Sequence, residues 1–284
     1  MPRKITLTLL ALIVILSGCT FGQTVEPTPT PTSTPAVDEF NQLHPEWQTY
    51  FDAVGAEGAF VFYDLNNGIT MRYNPERCAE GFLPASTFKI LNALIALDTG
   101  VIADENTVIP WDGTVYPIES WNQDQTLTTA MRDSVVWAYQ EMARRIGAET
   151  MQAYVNVVGY GNMDIARNPL SFWLDGDLRI SADQQIEFLR RFYAGDLPFH
   201  VEVVETVRNM TIVEETGDYI LHAKAGSTVM PDGTGIGWYV GYLETDGNVY
   251  FFALNLSSPE LTGEQMAARS EITRSILGEL GLLP

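Results

Sequence analysis

Residues 59–65 (AFVFYDL) and 69–73 (ITMRY) are dense in β-branched and aromatic side chains, with Asn66-Asn67-Gly68 between them. Two such runs around a turn-forming triplet predict a β-hairpin. Residues 236–244 and 249–256 flank Thr245-Asp246-Gly247-Asn248 and predict a second hairpin. Between the hairpins the period changes. The stretch from Leu83 onward, 126–146, 150–158 and 182–193 repeat apolar positions at helical spacing. Thr262 and Gln265 pair as a capping box and predict a helix running to about Leu280. Strands at both ends with helices between them predict an α+β fold. One antiparallel sheet is built from N- and C-terminal segments and flanked by helices, with a helical subdomain inserted over approximately 86–205. A site at their interface draws on both. No repeat of 20–50 residues is visible.

The first residues follow another logic. Arg3 and Lys4 precede an apolar run, 5–16, interrupted only by Thr6 and Thr8. About a dozen apolar residues are too few to span a membrane and suit the hydrophobic part of a signal peptide. Leu16-Ser17-Gly18-Cys19 resembles a bacterial lipobox, in which the cysteine is lipidated and becomes the first mature residue. That resemblance implies a lipoprotein signal peptide over 1–18 and an exported chain. The chain is then anchored through Cys19 to the outer face of the cytoplasmic membrane or cell envelope. An ordinary signal peptide with a chance cysteine is the alternative. Residues 24–36 (TVEPTPTPTSTPA) lack a hydrophobic period and are rich in Pro and Thr. Such a segment stays extended at about 3.1 Å per residue. It reads as a linker over 19–37, leaving 38–284 as the folded domain.

Composition narrows the function. Hydrophobic residues are 46% and charged residues 18%, which suits a globular chain. A net charge of −20 disfavours nucleic acid and anionic membrane surfaces as partners. His44, His200 and His222 have no metal-site spacing, so no metal is expected. Cys19 falls in the targeting segment, which leaves Cys78 as a lone, apolar thiol and no disulfide framework.

The chemistry gathers around lysines. Beyond Lys4, the chain has only Lys89 and Lys224. Ser86-Thr87-Phe88-Lys89 follows Pro84-Ala85, and proline favours a helix start, so Ser86 is expected in the first turn. Lys89 lies one turn later on the same face. Ile90, Leu91, Leu94, Ile95 and Leu97 leave that helix almost no polar face. Burial lowers a lysine pKa, and a neutral amine can take a serine proton or react with carbon dioxide. Taken alone, Ser-x-x-Lys is better read as a capping serine with a solvated lysine. Lys224-Ala225-Gly226 precedes the second hairpin. Ser134-Val135-Val136 lies in a helical stretch, Tyr160-Gly161-Asn162 in a turn, and Phe172-Trp173-Leu174 before a polar turn. Each is uninformative by itself.

Their order and spacing together resemble the motif series of class D (oxacillinase-type) serine β-lactamases. Gly237-Trp238-Tyr239-Val240-Gly241-Tyr242 is similar to that family's strand after the Lys-x-Gly motif. The resemblance runs from about Val37 to Gly281 and implies a serine β-lactamase/penicillin-binding transpeptidase-like fold. It implies Ser86 as nucleophile on the β-lactam carbonyl and Lys89, N-carboxylated by carbon dioxide, as general base. Ser134 and Lys224 then pass a proton to the β-lactam nitrogen. Trp173 hydrogen-bonds the carbamate, while Val136 and Leu174 keep it dry. The N–H groups of Ser86 and Ser227 form the oxyanion hole, and Gly226, Ala225, Arg269, Tyr160 and Asn162 belong to the substrate side. No cofactor beyond carbon dioxide or bicarbonate is implied. Ala225 departs from the family, which has Thr or Ser there. A lost hydroxyl bond costs about 0.5–1.5 kcal/mol, so weaker or altered substrate binding is expected, with Ser227 or Thr228 as possible substitutes.

Four rival readings share parts of this pattern. A penicillin-binding transpeptidase shares Ser-x-x-Lys and Lys-x-Gly, but Tyr-Gly-Asn with the tryptophan argues against it. A class A enzyme would carry Ser-Asp-Asn, which is absent. A β-lactam sensor domain acylates without efficient turnover and normally sits behind several membrane spans. A catalytically dead binding lipoprotein is kept open only by Ala225.

Overall fold

A computed structural model describes residues 39–284. The expected signal peptide, the lipobox with Cys19 and the linker lie outside the described residues. The described residues form one compact unit. It opens with β1 (Asn41–Leu43), α1 (Gln48–Asp52), β2 (Glu57–Asp64), β3 (Ile69–Tyr73) and α2 (Pro75–Ala79). The helical middle holds α3 (Lys89–Asp98), α4 (Leu127–Arg132), α5 (Val136–Ile146), α6 (Ala148–Val158), α7 (Phe172–Asp175), α8 (Ala182–Ala194) and α9 (Val201–Met210). The chain closes with β4 (Ile212–Glu215), β5 (Tyr219–Val229), β6 (Gly235–Thr245), β7 (Asn248–Ser258) and α10 (Gly263–Glu279).

The strands form one seven-stranded sheet in the order β1-β3-β2-β7-β6-β5-β4. Both expected hairpins are present. Gly68 (φ 67°) and Gly247 (φ 93°) occupy the left-handed positions of their turns, where a side chain is strained. β7 lies antiparallel to β2, with Phe60 opposite Leu254, and so joins the two ends of the chain. The β1–β3 pair is the parallel exception. Side chains alternate between faces. Phe60, Phe62, Tyr239 and Leu254 meet Ile272 and Ile276 of α10 on one face. Val61, Trp238, Val240 and Phe251 meet Leu91, Leu94, Ile186 and Leu189 of the helical layer on the other. The capping box of Thr262 and Gln265 starts α10 as expected.

One difference from the sequence expectation, and one feature of the sheet, bear on the site. The stretch 126–146 is two helices, not one, and Ser134 sits at the break with φ 55°. The Val135 N–H closes the end of α4 on the Ala130 carbonyl (3.0 Å), and the Trp121 indole N–H holds the Asp133 carbonyl (3.0 Å). These bonds sustain a left-handed serine, which is otherwise disfavoured. β5 is also long and lies second from the edge. β4 pairs with it only over Ile220–His222, and the Ala223 N–H reaches Thr211. From Lys224 to Val229 no strand among the described residues covers the outer side of β5, so that half behaves as an edge.

Candidate active site

The turn carrying Ser86 is held from three sides. Phe82 and Ile180 exchange backbone hydrogen bonds of 3.0 and 2.9 Å. The Trp238 indole N–H donates to the Leu83 carbonyl at 2.8 Å. Thr87 donates through its hydroxyl to the Pro84 carbonyl at 2.7 Å. Between these anchors Ala85 is forced to φ 51°. Residues Ala85–Phe88 make a single 3₁₀ turn, and α3 begins only at Lys89. Ser86 therefore precedes the α-helix rather than opening it, because the left-handed Ala85 tightens the turn. Ser86 is 8% exposed, and its Oγ lies 2.6 Å from Lys89 Nζ.

Lys89 is fully buried. Burial, and then the neighbouring Lys224, push its amine well below the usual lysine range. Lys89 Nζ is also 5.4 Å from the centre of the Tyr139 ring. Lys224 is lowered to about 8, first by burial and then by Arg269. Ser134 Oγ stands between them, 3.1 Å from each Nζ. The break between α4 and α5 aims that hydroxyl. Lys224 Nζ also donates to the Ala225 carbonyl at 3.0 Å. Among the described residues neither lysine has a carboxylate partner; hydroxyls and one carbonyl are all they meet. A buried amine without a counter-ion favours its neutral form, the form able to accept the Ser86 proton.

Trp173 is fully buried and stacks on Phe88, with ring centres 5.6 Å apart. Its indole N–H has no acceptor among the described residues. A buried donor normally has a partner, so this one suits an added oxygen group. Val136, the first residue of α5, and Leu174 are half-buried, while Val135 is fully buried. Thr228 donates to the Leu174 carbonyl at 2.7 Å and so ties β5 to α7. Thr228 is thus committed to the scaffold and cannot replace the hydroxyl missing at Ala225. Ser227 is half-buried, and its hydroxyl bonds to no described residue.

Gly226 presses on the nucleophile. A methyl group there would stand 2.9 Å from the Ser86 nitrogen and 3.2 Å from that of Thr87. Only glycine lets β5 approach the backbone N–H of Ser86 this closely. Ala225 points the other way, into the core beneath α10, which corrects the expected place of its side chain on the substrate side. Arg269 lies on that same side. Its Nε donates to the Met266 carbonyl at 2.7 Å, and its Nη1 to the carbonyls of Gly226 and Trp238. Burial lowers its guanidinium to about 10.

Tyr160 and Asn162 are not with the four reactive groups. Tyr160 is 1% exposed and packs edge-on against Phe88 and Phe188. Asn162 is exposed; its side chain accepts from the Arg179 N–H (2.9 Å) and donates to the Asp177 carbonyl (2.9 Å). Both shape the scaffold, and their expected place on the substrate side is corrected to one beside it. Ser86, Lys89, Ser134 and Lys224 do converge, from the 3₁₀ turn, α3, the α4–α5 break and β5. A wide groove of about 710 Å3 among Asp52, Glu57, Asp232 and Ser258 holds none of the four.

The penicillin-binding protein transpeptidase domain family matches residues 58–278. β-Lactamase OXA-48 of Klebsiella pneumoniae is 42% identical over 250 residues, covering 88% of this chain and 93% of that protein. The regulatory protein BlaR1 of Bacillus licheniformis is 37% identical over 86% of this chain, which corresponds to only 40% of BlaR1. The crystal structure of a class D β-lactamase, YbXI from Nostoc, superposes with a TM-score of 0.81 at 42% identity, covering 84% of this chain and all of that one.

Proposed function

The chain belongs to the class D serine β-lactamase family, and we propose that it hydrolyses the cyclic amide of β-lactam antibiotics through an acyl-enzyme on Ser86. One observation carries this reading: a buried, unpaired Lys89 amine 2.6 Å from the Ser86 hydroxyl. Ser86 Oγ attacks the lactam carbonyl while its proton leaves toward Lys89. The N–H groups of Ser86 and Ser227 receive the developing oxyanion, a contribution of about 3–4 kcal/mol where one such donor has been removed elsewhere. As the C–N bond breaks, the ring nitrogen takes the proton of Ser134. Lys224 Nζ, 3.1 Å away, stabilises the resulting alkoxide and restores the proton. The proton held by Lys89 returns to Lys224 through Ser134, which lies 3.1 Å from each. Lys89, neutral again, takes a proton from the water that attacks the ester and passes it to Ser86 as the ester C–O bond breaks. Lys224 also supplies the positive charge for the substrate carboxylate, with Arg269 acting through the Gly226 carbonyl it holds.

The residues present fit N-carboxylation of Lys89. The amine is driven toward its neutral form, no carboxylate competes for it among the described residues, and the Trp173 N–H awaits an acceptor. When present, a carbamate at Lys89 would supply the general base for both half-reactions. Trp173 would hold it, with Val136 and Leu174 limiting water. Export and a lipid anchor on Cys19, read from the lipobox, belong to the same proposal.

Steady-state hydrolysis of a chromogenic cephalosporin, with and without bicarbonate, tests the reading. Multiple turnover, raised by bicarbonate and lost in Ser86→Ala and Lys89→Ala, is expected. A single stoichiometric burst leaving a stable acyl-enzyme would sink it and favour a sensor like BlaR1. A 13C signal on Lys89 after labelled bicarbonate, absent in Lys89→Ala, tests the carbamate separately. Palmitate labelling lost in Cys19→Ala tests the anchor.

A further inference from the structure

A buried polar pair behind the nucleophile has no part in the chemistry above. Gln185, in the second turn of α8, is 1% exposed, and Thr87 equally so. Gln185 Nε2 donates to Thr87 Oγ1 at 2.8 Å. The Thr87 hydroxyl in turn donates to the Pro84 carbonyl at 2.7 Å. The same carbonyl also receives the Thr87 backbone N–H at 3.2 Å. A hydroxyl has one proton and two acceptor sites. The Gln185 amide therefore fixes which way the Thr87 proton points. With that amide donating to it, Oγ1 directs its own proton to Pro84, which closes the turn over the left-handed Ala85; the buried Tyr160 hydroxyl faces the same pair. Ser86 lies inside that closed turn. The two residues are 98 apart in sequence, so only the packing of α8 against this turn brings them together. The Phe82–Ile180 bridge, just before α8, sets that packing.

We infer that Gln185 is a positioning residue for the nucleophile: through Thr87 it holds the turn that sets Ser86 Oγ against Lys89 Nζ and the Ser86 N–H against β5. This rests on Ser86 being the acylated serine. Charge on the relay matters as well as shape. An ionised carboxylate in place of the amide can only accept, so the Thr87 proton would turn toward it and release the Pro84 carbonyl.

The test is the acylation rate of the folded catalytic domain with a fluorescent penicillin, by stopped flow, well below the melting temperature. Ser86→Ala, which must abolish labelling, checks the underlying reading by itself. Gln185→Leu, Gln185→Glu and Thr87→Val are each expected to slow acylation by about 10–100-fold, the penalty that a small misplacement of a reacting atom carries. Thr87→Ser, which retains the hydroxyl, is expected to recover the rate to within about threefold. The double variant Gln185→Leu/Thr87→Val should be no slower than the worse single, since both act through one chain. Unchanged acylation in Gln185→Leu with wild-type labelling of Ser86, or losses that multiply in the double variant, would overturn the inference. If Thr87→Val does not fold, Gln185→Glu against Gln185→Leu decides. Two rates equal to wild type reject the relay; slowing in both with a retained circular dichroism spectrum supports it.

Discussion

On one face of the sheet α10 closes over Phe60, Phe62, Tyr239 and Leu254, and the buried cation there, Arg269, donates to the carbonyls of Met266, Gly226 and Trp238. On the other face the helical layer closes over Lys89, Ser134 and Lys224, and the two lysines meet hydroxyls and a single carbonyl. Burial opposes charge on both faces. The α10 face answers with fixed acceptors, and Arg269 keeps its proton. The helical face supplies none with negative charge, and the lysines are driven toward losing theirs. A group that must exchange a proton is useful only where the fold declines to stabilise its charged form. The instability is thus local, and the well-packed α10 face offsets it.

Removing the least satisfied cation should separate stability from activity most. Lys89→Leu is expected to lower kcat by about 10³-fold or more, as loss of a general base does. Because it removes a buried amine, it should raise Tm by about 2–4 °C, equivalent to about 1 kcal/mol. Calorimetry showing a lower Tm would mean that Lys89 is well satisfied in the fold and that the contrast between the faces is wrong.

Glycines on the two faces give the next largest contrast. Gly226→Ala places a methyl against backbone at Ser86 and Thr87, which cannot yield, and acylation should fall by about 10²-fold. Gly237→Ala meets the Arg269 Cδ at 2.8 Å and a Leu256 methyl at 3.0 Å, side-chain atoms that can move. Its effect should appear in Tm more than in acylation. Equal acylation losses in both would erase the distinction.

The third test is pH. The Lys224 pKa is about 8 in the folded chain, below its ordinary 10.5. Between those values the unfolded chain binds a proton that the folded chain has released, so stability rises with pH across this window. The slope is at most about 1.4 kcal/mol per unit. The penalty is fully present below pH 8. Denaturant titrations from pH 7.5 to 10 should show the rise, and Lys224→Met should remove it. Activity should move oppositely, falling above pH 8 as the charge that attracts the substrate carboxylate is lost.

The smallest effect is expected at the seam between β5 and α7. Thr228→Val removes one neutral hydrogen bond, to the Leu174 carbonyl, and should cost about 0.5–1.5 kcal/mol in urea denaturation. A change in the substrate KM larger than the change in stability would show that Thr228 serves the substrate after all.

Much of the site was legible before any fold was known. Ser86 and Lys89 are one turn apart, so local helical geometry alone puts them together. Lys224-Ala225-Gly226 was legible as a motif just before the second hairpin, while its place inside β5, where the glycine permits close backbone approach, came only with the sheet. Ser134 was legible as a candidate but not as a break, since its stretch carries continuous helical spacing and local propensity does not encode the pull of Trp121 on Asp133. The roles of Tyr160 and Asn162 could not be separated from sequence either, because a motif in a turn does not say which way its side chains face. Gln185 had a signal that was passed over. It is polar at a position where the apolar stripe of α8, through Ala182, Ile186 and Leu189, expects a buried side chain.

The sequence by itself determined the strand–helix–strand order, the two hairpins, the capped last helix and the buried character of α3, because these follow from near-neighbour periodicity and turn chemistry. Only the tertiary structure decided that Lys89 and Lys224 share one hydroxyl, that Gly226 touches the Ser86 backbone, that Thr228 is spent on Leu174, and that Gln185 stands behind Thr87. Those contacts join segments up to about a hundred residues apart or more. The free energy that holds them comes from closing two faces of one sheet, which no local stretch of the chain contains.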